Sequence, residues 1–182
     1  MISRIRLLRP LGESPASVVK RQACLPSLSA KLKSMDTKTT LSISAKVDNL
    51  EAIRRFVQEA AQELKADQDV IFDMLQAVDE SATNIIQHGY GGKMGNIEIA
   101  IGREDEFLVV HLRDQAPPFD PTTVPPPDLT LPLEKRPFGG MGVYLTMQFM
   151  DKVIYRVTSE GGNELILMKT SHSEEEVYEP DN

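Results

Sequence analysis

The sequence predicts an α+β fold, a two-layer sandwich with helices on one face of a mixed, mostly antiparallel sheet. Three observations carry that expectation. Two consecutive segments between residues 50 and 88 place apolar side chains at three- and four-residue intervals. Five short segments alternate apolar and polar residues, four of them in two pairs joined by short turns. A proline-rich stretch, residues 115–140, separates those pairs and leads into one more helical segment.

The elements follow in order. Leu41, Ile43, Ala45 and Val47 alternate with polar neighbours, as in a half-buried strand. Asp48 or Asn49 can cap the helix that follows, whose stripe is Leu50, Ile53, Phe56, Val57, Ala60, Ala61 and Leu64. Asp67 offers a second cap. The next helix spans about residues 69–88, with Val70, Met74, Leu75, Val78, Ala82, Ile85 and Ile86 inward, and Gly89, Gly91 and Gly92 end it. Ile97, Ile99 and Ile101 mark a strand, residues 107–112 mark its partner, and 103–106 read as the turn between them. Prolines exclude residues 115–140 from a central strand or a helix interior. A third helix covers about 142–150, and strands at 152–158 and 164–170 meet through Gly161, Gly162 and Asn163. There is no internal repeat.

A chain of 182 residues suits one domain plus a tail or two. Hydrophobic residues make up 41% and charged residues 26%, enough for a real core. No apolar run reaches the roughly 18 residues a membrane span needs. The single cysteine, Cys24, excludes an internal disulfide framework and a cysteine-rich zinc site, and fits a reducing cytoplasm. Charge is uneven. Residues 1–34 hold seven Lys or Arg against one acid, Glu13, so they carry +6 and the remainder carries −13 of the net −7. An acidic body of this kind argues against direct nucleic-acid binding. Residues 1–34 lack any helical or strand period. A disordered basic tail, sequence upstream of a true start at Met35, and a targeting peptide are the three readings, the first being the one adopted. Residues 35–172 then form the domain, and residues 173–182 form an acidic tail.

Several residues could carry chemistry. Glu80, Asn84 and His88 follow one another at four-residue steps, so they share a helix face. An Asn oxygen can coordinate Mg²⁺, and a carboxylate one turn away can deprotonate a hydroxyl. The same spacing also fits a solvated helix face. Asp114 ends a strand and precedes Gln115, Ala116, Pro117, Pro118, Phe119, Asp120 and Pro121. A carboxylate there can accept the exocyclic amine of adenine, or it can simply form a turn. Gly139, Gly140, Met141 and Gly142 precede a helix, where glycines and free N–H groups favour phosphate, or where they form a hinge. Lys135 and Arg136 are a basic pair beside those glycines and could contact a terminal phosphate, with Lys93 a weaker candidate. His111, His172 and Cys24 read as structural or peripheral, and the eight methionines read as core filler.

Together the three motifs resemble the N, G1 and G2 boxes of the ATPase fold shared by gyrase, sensor histidine kinases and the mismatch-repair ATPase. The run Glu80-Ser81-Ala82-Thr83-Asn84 followed by His88-Gly89-Tyr90 is similar to the anti-sigma-factor serine kinases of that fold. So is Pro118-Phe119-Asp120-Pro121, and so is the stretch 139–151 with its following strand pair. The resemblance covers about residues 35–170.

The resemblance implies that Asn84 binds the Mg²⁺ that bridges ATP phosphates and that Glu80 is the general base toward a serine hydroxyl. It implies that Asp114 holds the adenine amine, that Gly140 and Gly142 let lid and helix close, and that residues 115–140 are the ATP lid. His88, Ala116, Lys135, Arg136, Gly139 and Met141 complete the expected ATP site. One departure is that Ala116 and Pro118 stand where the wider fold has glycines in its G1 box. The implied function is a Mg·ATP-dependent serine/threonine protein kinase and anti-sigma factor in the cytoplasm. Its partners would be a small anti-anti-sigma protein as substrate and a sigma factor, with neither nucleic acid nor membrane. A homodimer, the commonest closed assembly, is left open. Two alternatives stand beside it: a nucleotide-gated binding regulator without transfer activity, and an ATPase domain detached from a two-component system.

Overall fold

The structure is a computed structural model that describes residues 36–128 and 141–171. Its elements are β1 (Asp36–Ser44), α1 (Leu50–Glu63), α2 (Gln68–Asn84), β2 (Asn96–Glu104), β3 (Phe107–Asp114), α3 (Met141–Phe149), β4 (Lys152–Val157) and β5 (Asn163–Thr170). The strands form one five-stranded sheet in the order β1-β2-β3-β5-β4. Every pairing among the described residues is antiparallel, so the mixed sheet expected from sequence is antiparallel throughout. The chain leaves the sheet after β3 and returns through α3 to the edge strand β4. Strand β5 then inserts beside β3.

Alternation decides which face each strand buries. Ile97, Ile99 and Ile101 of β2, Leu108, Val110 and Leu112 of β3, and Leu165 and Leu167 of β5 all join the core beneath the helices. Helix α1 buries Ile53, Val57, Ala60 and Ala61 there, at helical spacing. Helix α2 buries Val70, Ile71, Met74, Ala77, Val78 and Ala82. A fully buried side chain such as Ile99 contributes about 2–5 kcal/mol relative to alanine.

The opposite face of the same strands is different. Val109, Ile166 and Met168 form a small cluster with Phe107 and Ile154. Beside it Glu164, 2% exposed, is surrounded by positive and hydrogen-bonding partners. His111 Nδ1 lies 3.0 Å from Glu164 Oε1, Arg113 Nε donates to the same oxygen at 2.8 Å, and Arg156 Nε donates to Oε2. Burial would push this carboxyl up. The bonds from His111 and Arg156 and the Arg113 charge instead hold it well below the usual range.

Local differences from the sequence reading have local causes. Strand β1 starts at Asp36, where pairing with Arg103 of β2 holds it, and it stops at Ser44. Val47 falls in a 3₁₀ turn, Val47–Asn49, and is 55% exposed. Asn49 is the N-cap of α1, but its amide donates to the Ser44 carbonyl and hydroxyl at 2.8 Å and bonds no helix N–H. Helix α2 keeps α geometry only to Asn84, after which a π-helical turn runs over Ile85–Tyr90. Gly91, at φ 57°, ends it in the left-handed region. Met94 is 98% exposed, which corrects the reading of the methionines as uniformly core, whereas Met74, Met150 and Met168 are buried. His111 is buried. Cys24, Lys135, Arg136, Gly139, Gly140, His172 and the expected tails lie outside the described residues.

Candidate functional site

Between α2, α3 and the ends of β3, β4 and β5 lies a cavity of about 480 Å³. That is within the roughly 300–1,000 Å³ common for small-molecule sites. Helix α2 and its π turn supply Ser81, Asn84, Ile85, His88 and Gly89. Asn84, the last residue of α2, and Gly89 within the π turn both reach the wall. Strands supply Asp114, Tyr155, Asn163 and Leu165, and α3 supplies Val143, Thr146 and Met147. The remaining wall is Ala116 to Phe119, Pro121 and Val124. The prolines of this segment carry no backbone N–H that would need a partner. Asp120 then accepts from Thr122 N at 2.9 Å and fixes the turn that follows.

Asp114 is the most buried acid on this wall, at 6% exposure. Its Oδ1 accepts from Ala116 N at 2.8 Å and from Asn163 Nδ2 at 2.8 Å. Both bonds end on Oδ1, so Oδ2 keeps its acceptor capacity. The turn-forming and ligand-accepting readings of Asp114 are therefore compatible, one oxygen for each. Burial raises its pKa, and the Asn163 and Ala116 bonds oppose that rise. The Asn163 amide also donates to the Ala116 carbonyl at 3.0 Å and accepts from the Tyr155 hydroxyl at 2.7 Å. Burial and then the Asp120 charge raise the Tyr155 pKa, so the phenol stays protonated as a donor.

Glycines set the close contacts. A Cβ on Gly89 would lie 2.9 Å from the Ala116 methyl. The methyl of Ala116 thus occupies space that Gly89 leaves. A Cβ on Gly142 would lie 2.0 Å from Glu80 Oε2. The Glu80 carboxylate therefore rests against the first turn of α3. Tyr90 ties the π turn to both neighbours: its hydroxyl donates to the Asn96 carbonyl and accepts from Gln115 N, each at 2.9 Å.

A family model described as "Histidine kinase-like ATPase domain" matches residues 43–169. The chain belongs to that family. It is 32% identical over 120 residues to proteins named "Serine-protein kinase RsbW" from Bacillus cereus (strain Q1) and Bacillus anthracis (strain A0248). Each match covers 64% of this chain and 75% of the relative. Among solved structures it resembles the RsbU and RsbW domains of Rv1364c from Mycobacterium tuberculosis, with a TM-score of 0.53 and 18% identity. That match covers 74% of this chain and 32% of the longer one, and it speaks to the fold alone.

Within this histidine kinase-like ATPase domain, four residues expected from the sequence share the cavity wall: Asn84, His88, Asp114 and Ala116. Glu80 and Gly142 meet each other outside that lining. Met141 begins α3 and is 37% exposed, also outside the lining. Sequence reasoning missed Asn163 and Tyr155 as site residues. Asn163 had only its turn position as a signal, and its partner Asp114 is 49 residues away.

The cavity residues fit an adenine nucleotide: apolar walls, one buried carboxylate oxygen open to a donor, and Asn84, whose side chain makes no hydrogen bond to another described residue. No cluster of three His, Cys, Asp or Glu among the described residues could hold a metal by itself. Any Mg²⁺ here would need phosphate oxygens among its ligands, as Mg²⁺ prefers. No described helix is long and apolar enough to cross a membrane.

Proposed function

We propose that this chain is a cytoplasmic Mg·ATP-dependent protein serine/threonine kinase of the anti-sigma-factor type. It would phosphorylate a small anti-anti-sigma protein and, in another state, sequester a sigma factor. One observation carries the reading: a single cavity unites Asn84 of α2 with Asp114 at the end of β3, and Glu80 stands one helical turn from Asn84.

The roles follow from the groups. Asp114 Oδ2 would accept the adenine amine, a contact a guanine carbonyl cannot make. Asn84 would hold Mg²⁺ through its side-chain oxygen, and the ion when bound supplies charge neutralisation at the phosphates. Glu80 would take the proton of the acceptor hydroxyl. His88 lines the same wall and would contact the nucleotide. Gly142, with Gly139, Gly140, Lys135 and Arg136 before it, would hold the phosphates at the start of α3. Phosphoryl transfer needs mainly positioning and charge neutralisation, so this set suffices. The name of the relatives, serine-protein kinase, supports serine as acceptor.

The test is phosphate transfer to a serine of the partner, read by mass spectrometry. In Glu80→Gln, transfer is expected to fall by about 100-fold or more while ATP affinity is retained. Full transfer by that variant would remove Glu80 from the role.

A second reading has its own observation. Glu80 rests on Gly142 and does not line the cavity. That favours a nucleotide-gated binding regulator without transfer. A partner complex that tightens with ATP, with no phosphate reaching the partner, would select it.

A further inference from the structure

The hydrogen-bond chain behind Asp114 reaches further than the proposed function requires. Asn163 is 7% exposed and uses its whole amide: Nδ2 on Asp114 Oδ1 and the Ala116 carbonyl, Oδ1 on the Tyr155 hydroxyl. Turned over, the amide would set its oxygen against a carboxylate and a carbonyl, two acceptors facing a third. The observed orientation is thus the one its neighbours allow. Tyr155 supplies the donor that Oδ1 needs. Without it, a buried acceptor is left unpaired, and the amide's grip on Asp114 weakens. The Phe119 backbone lies beside the same phenol oxygen, so Tyr155 also touches the proline-rich wall.

We propose that Tyr155 is a positioning residue for base recognition: its hydroxyl fixes the Asn163 amide, which fixes the Asp114 carboxylate so that only Oδ2 faces the cavity. This rests on the nucleotide reading above and deepens it. A rigid lone acceptor favours a purine carrying an exocyclic amine. It repels a purine carrying a carbonyl at that position. An Asp114 free to rotate would present either oxygen at variable angles, and the discrimination would narrow.

Two readouts test this on the full chain, with thermal unfolding confirming that each variant folds. The first needs no nucleotide. The side-chain amide protons of Asn163, followed by NMR hydrogen exchange, are expected to exchange roughly fivefold faster in Tyr155→Phe than in wild type. The second is affinity for ATP against ITP, which carries a carbonyl in place of the amine. Tyr155→Phe is expected to narrow the ATP preference roughly fivefold, and Asn163→Ala to narrow it at least as much. The double variant is expected to match Asn163→Ala alone in base preference, since the proposal routes the effect of the Tyr155 hydroxyl on the base through Asn163.

Unchanged amide exchange in Tyr155→Phe would overturn the proposal whatever binds. So would an unchanged base preference in a variant whose amide has loosened. Fully additive losses in the double variant would make Tyr155 act by another route and would also overturn it. A wild type that binds neither nucleotide removes the nucleotide reading itself, and base recognition falls with it. That outcome is distinguished from the others because it appears before any substitution is made.

Discussion

Two adjacent rungs of one strand pair behave in opposite ways. Arg113 faces Glu164 and Asp114 faces Asn163 across β3 and β5. Successive residues point to opposite faces, so one rung lies under the small cluster and the other opens on the cavity. On the Arg113–Glu164 rung both carboxylate oxygens are taken, by His111, Arg113 and Arg156. On the Asp114–Asn163 rung one carboxylate oxygen is taken twice and the other not at all. Both acids are buried, yet their pKa values move in opposite directions, down for Glu164 and up for Asp114. Burial alone does not distinguish the two acids. An acceptor left over beside a cavity does.

The contrast predicts that substitutions on one face alter stability and on the other alter binding. The largest stability effect belongs to Glu164→Gln, which takes the counter-charge from Arg156 and leaves Arg113 with Glu98 alone. It is expected to cost about 3 kcal/mol in denaturant unfolding and to leave nucleotide affinity within twofold. The pH dependence has a definite sign. The Glu164 pKa is lower in the folded chain than its ordinary 4.5, so its stabilisation is full above about pH 4.5 and is lost as pH falls toward the folded value. Wild type should lose stability across that acid limb, and Glu164→Gln should lose less. An equally steep limb in the variant would show that other acids carry it.

Tyr90→Phe tests the tie between the π turn and the strand ends beside the cavity. It removes one hydroxyl that serves both Asn96 and Gln115, and is expected to cost about 2 kcal/mol. Because Gln115 adjoins the cavity wall, affinity should fall with stability here, unlike at Glu164. Gly89→Ala is the smallest expected change. The new methyl would press on Ala116, costing about 1 kcal/mol. Adding Ala116→Gly should recover it, and no recovery would mean that the two positions are not in mutual contact.

Much of this fold was legible in the sequence because its signals are local. The stripes of α1 and α2 and the alternation of β2 and β3 lie within single segments. The start of β1 was not legible, since its residues Asp36–Thr40 are polar and pairing with β2 makes them a strand. The π turn left no mark, because adding one residue to a turn barely disturbs the apolar spacing of Ile85 and Ile86. At the site, Asn84, His88, Asp114 and Ala116 could be named from motifs. Their partners could not. Asn163 meets Asp114, Gly89 meets Ala116 and Glu80 meets Gly142 only after the sheet has closed, and no spacing in the chain encodes those meetings.

In the proposed function this cavity binds Mg·ATP through Asp114 and Asn84. Calorimetry of ATP binding, with and without Mg²⁺, on wild type, Asp114→Asn and Asn84→Ala decides whether it does. Wild type should bind Mg·ATP, Asp114→Asn should lose roughly 10- to 100-fold in affinity while unfolding at nearly the wild-type denaturant concentration, and Asn84→Ala should lose the Mg²⁺ dependence. Affinity in wild type should also fall on acidification at a higher pH than an ordinary aspartate would give, because burial raises the Asp114 pKa. No binding by wild type at millimolar ATP, or full affinity in Asp114→Asn, would rule out this cavity as the Mg·ATP site.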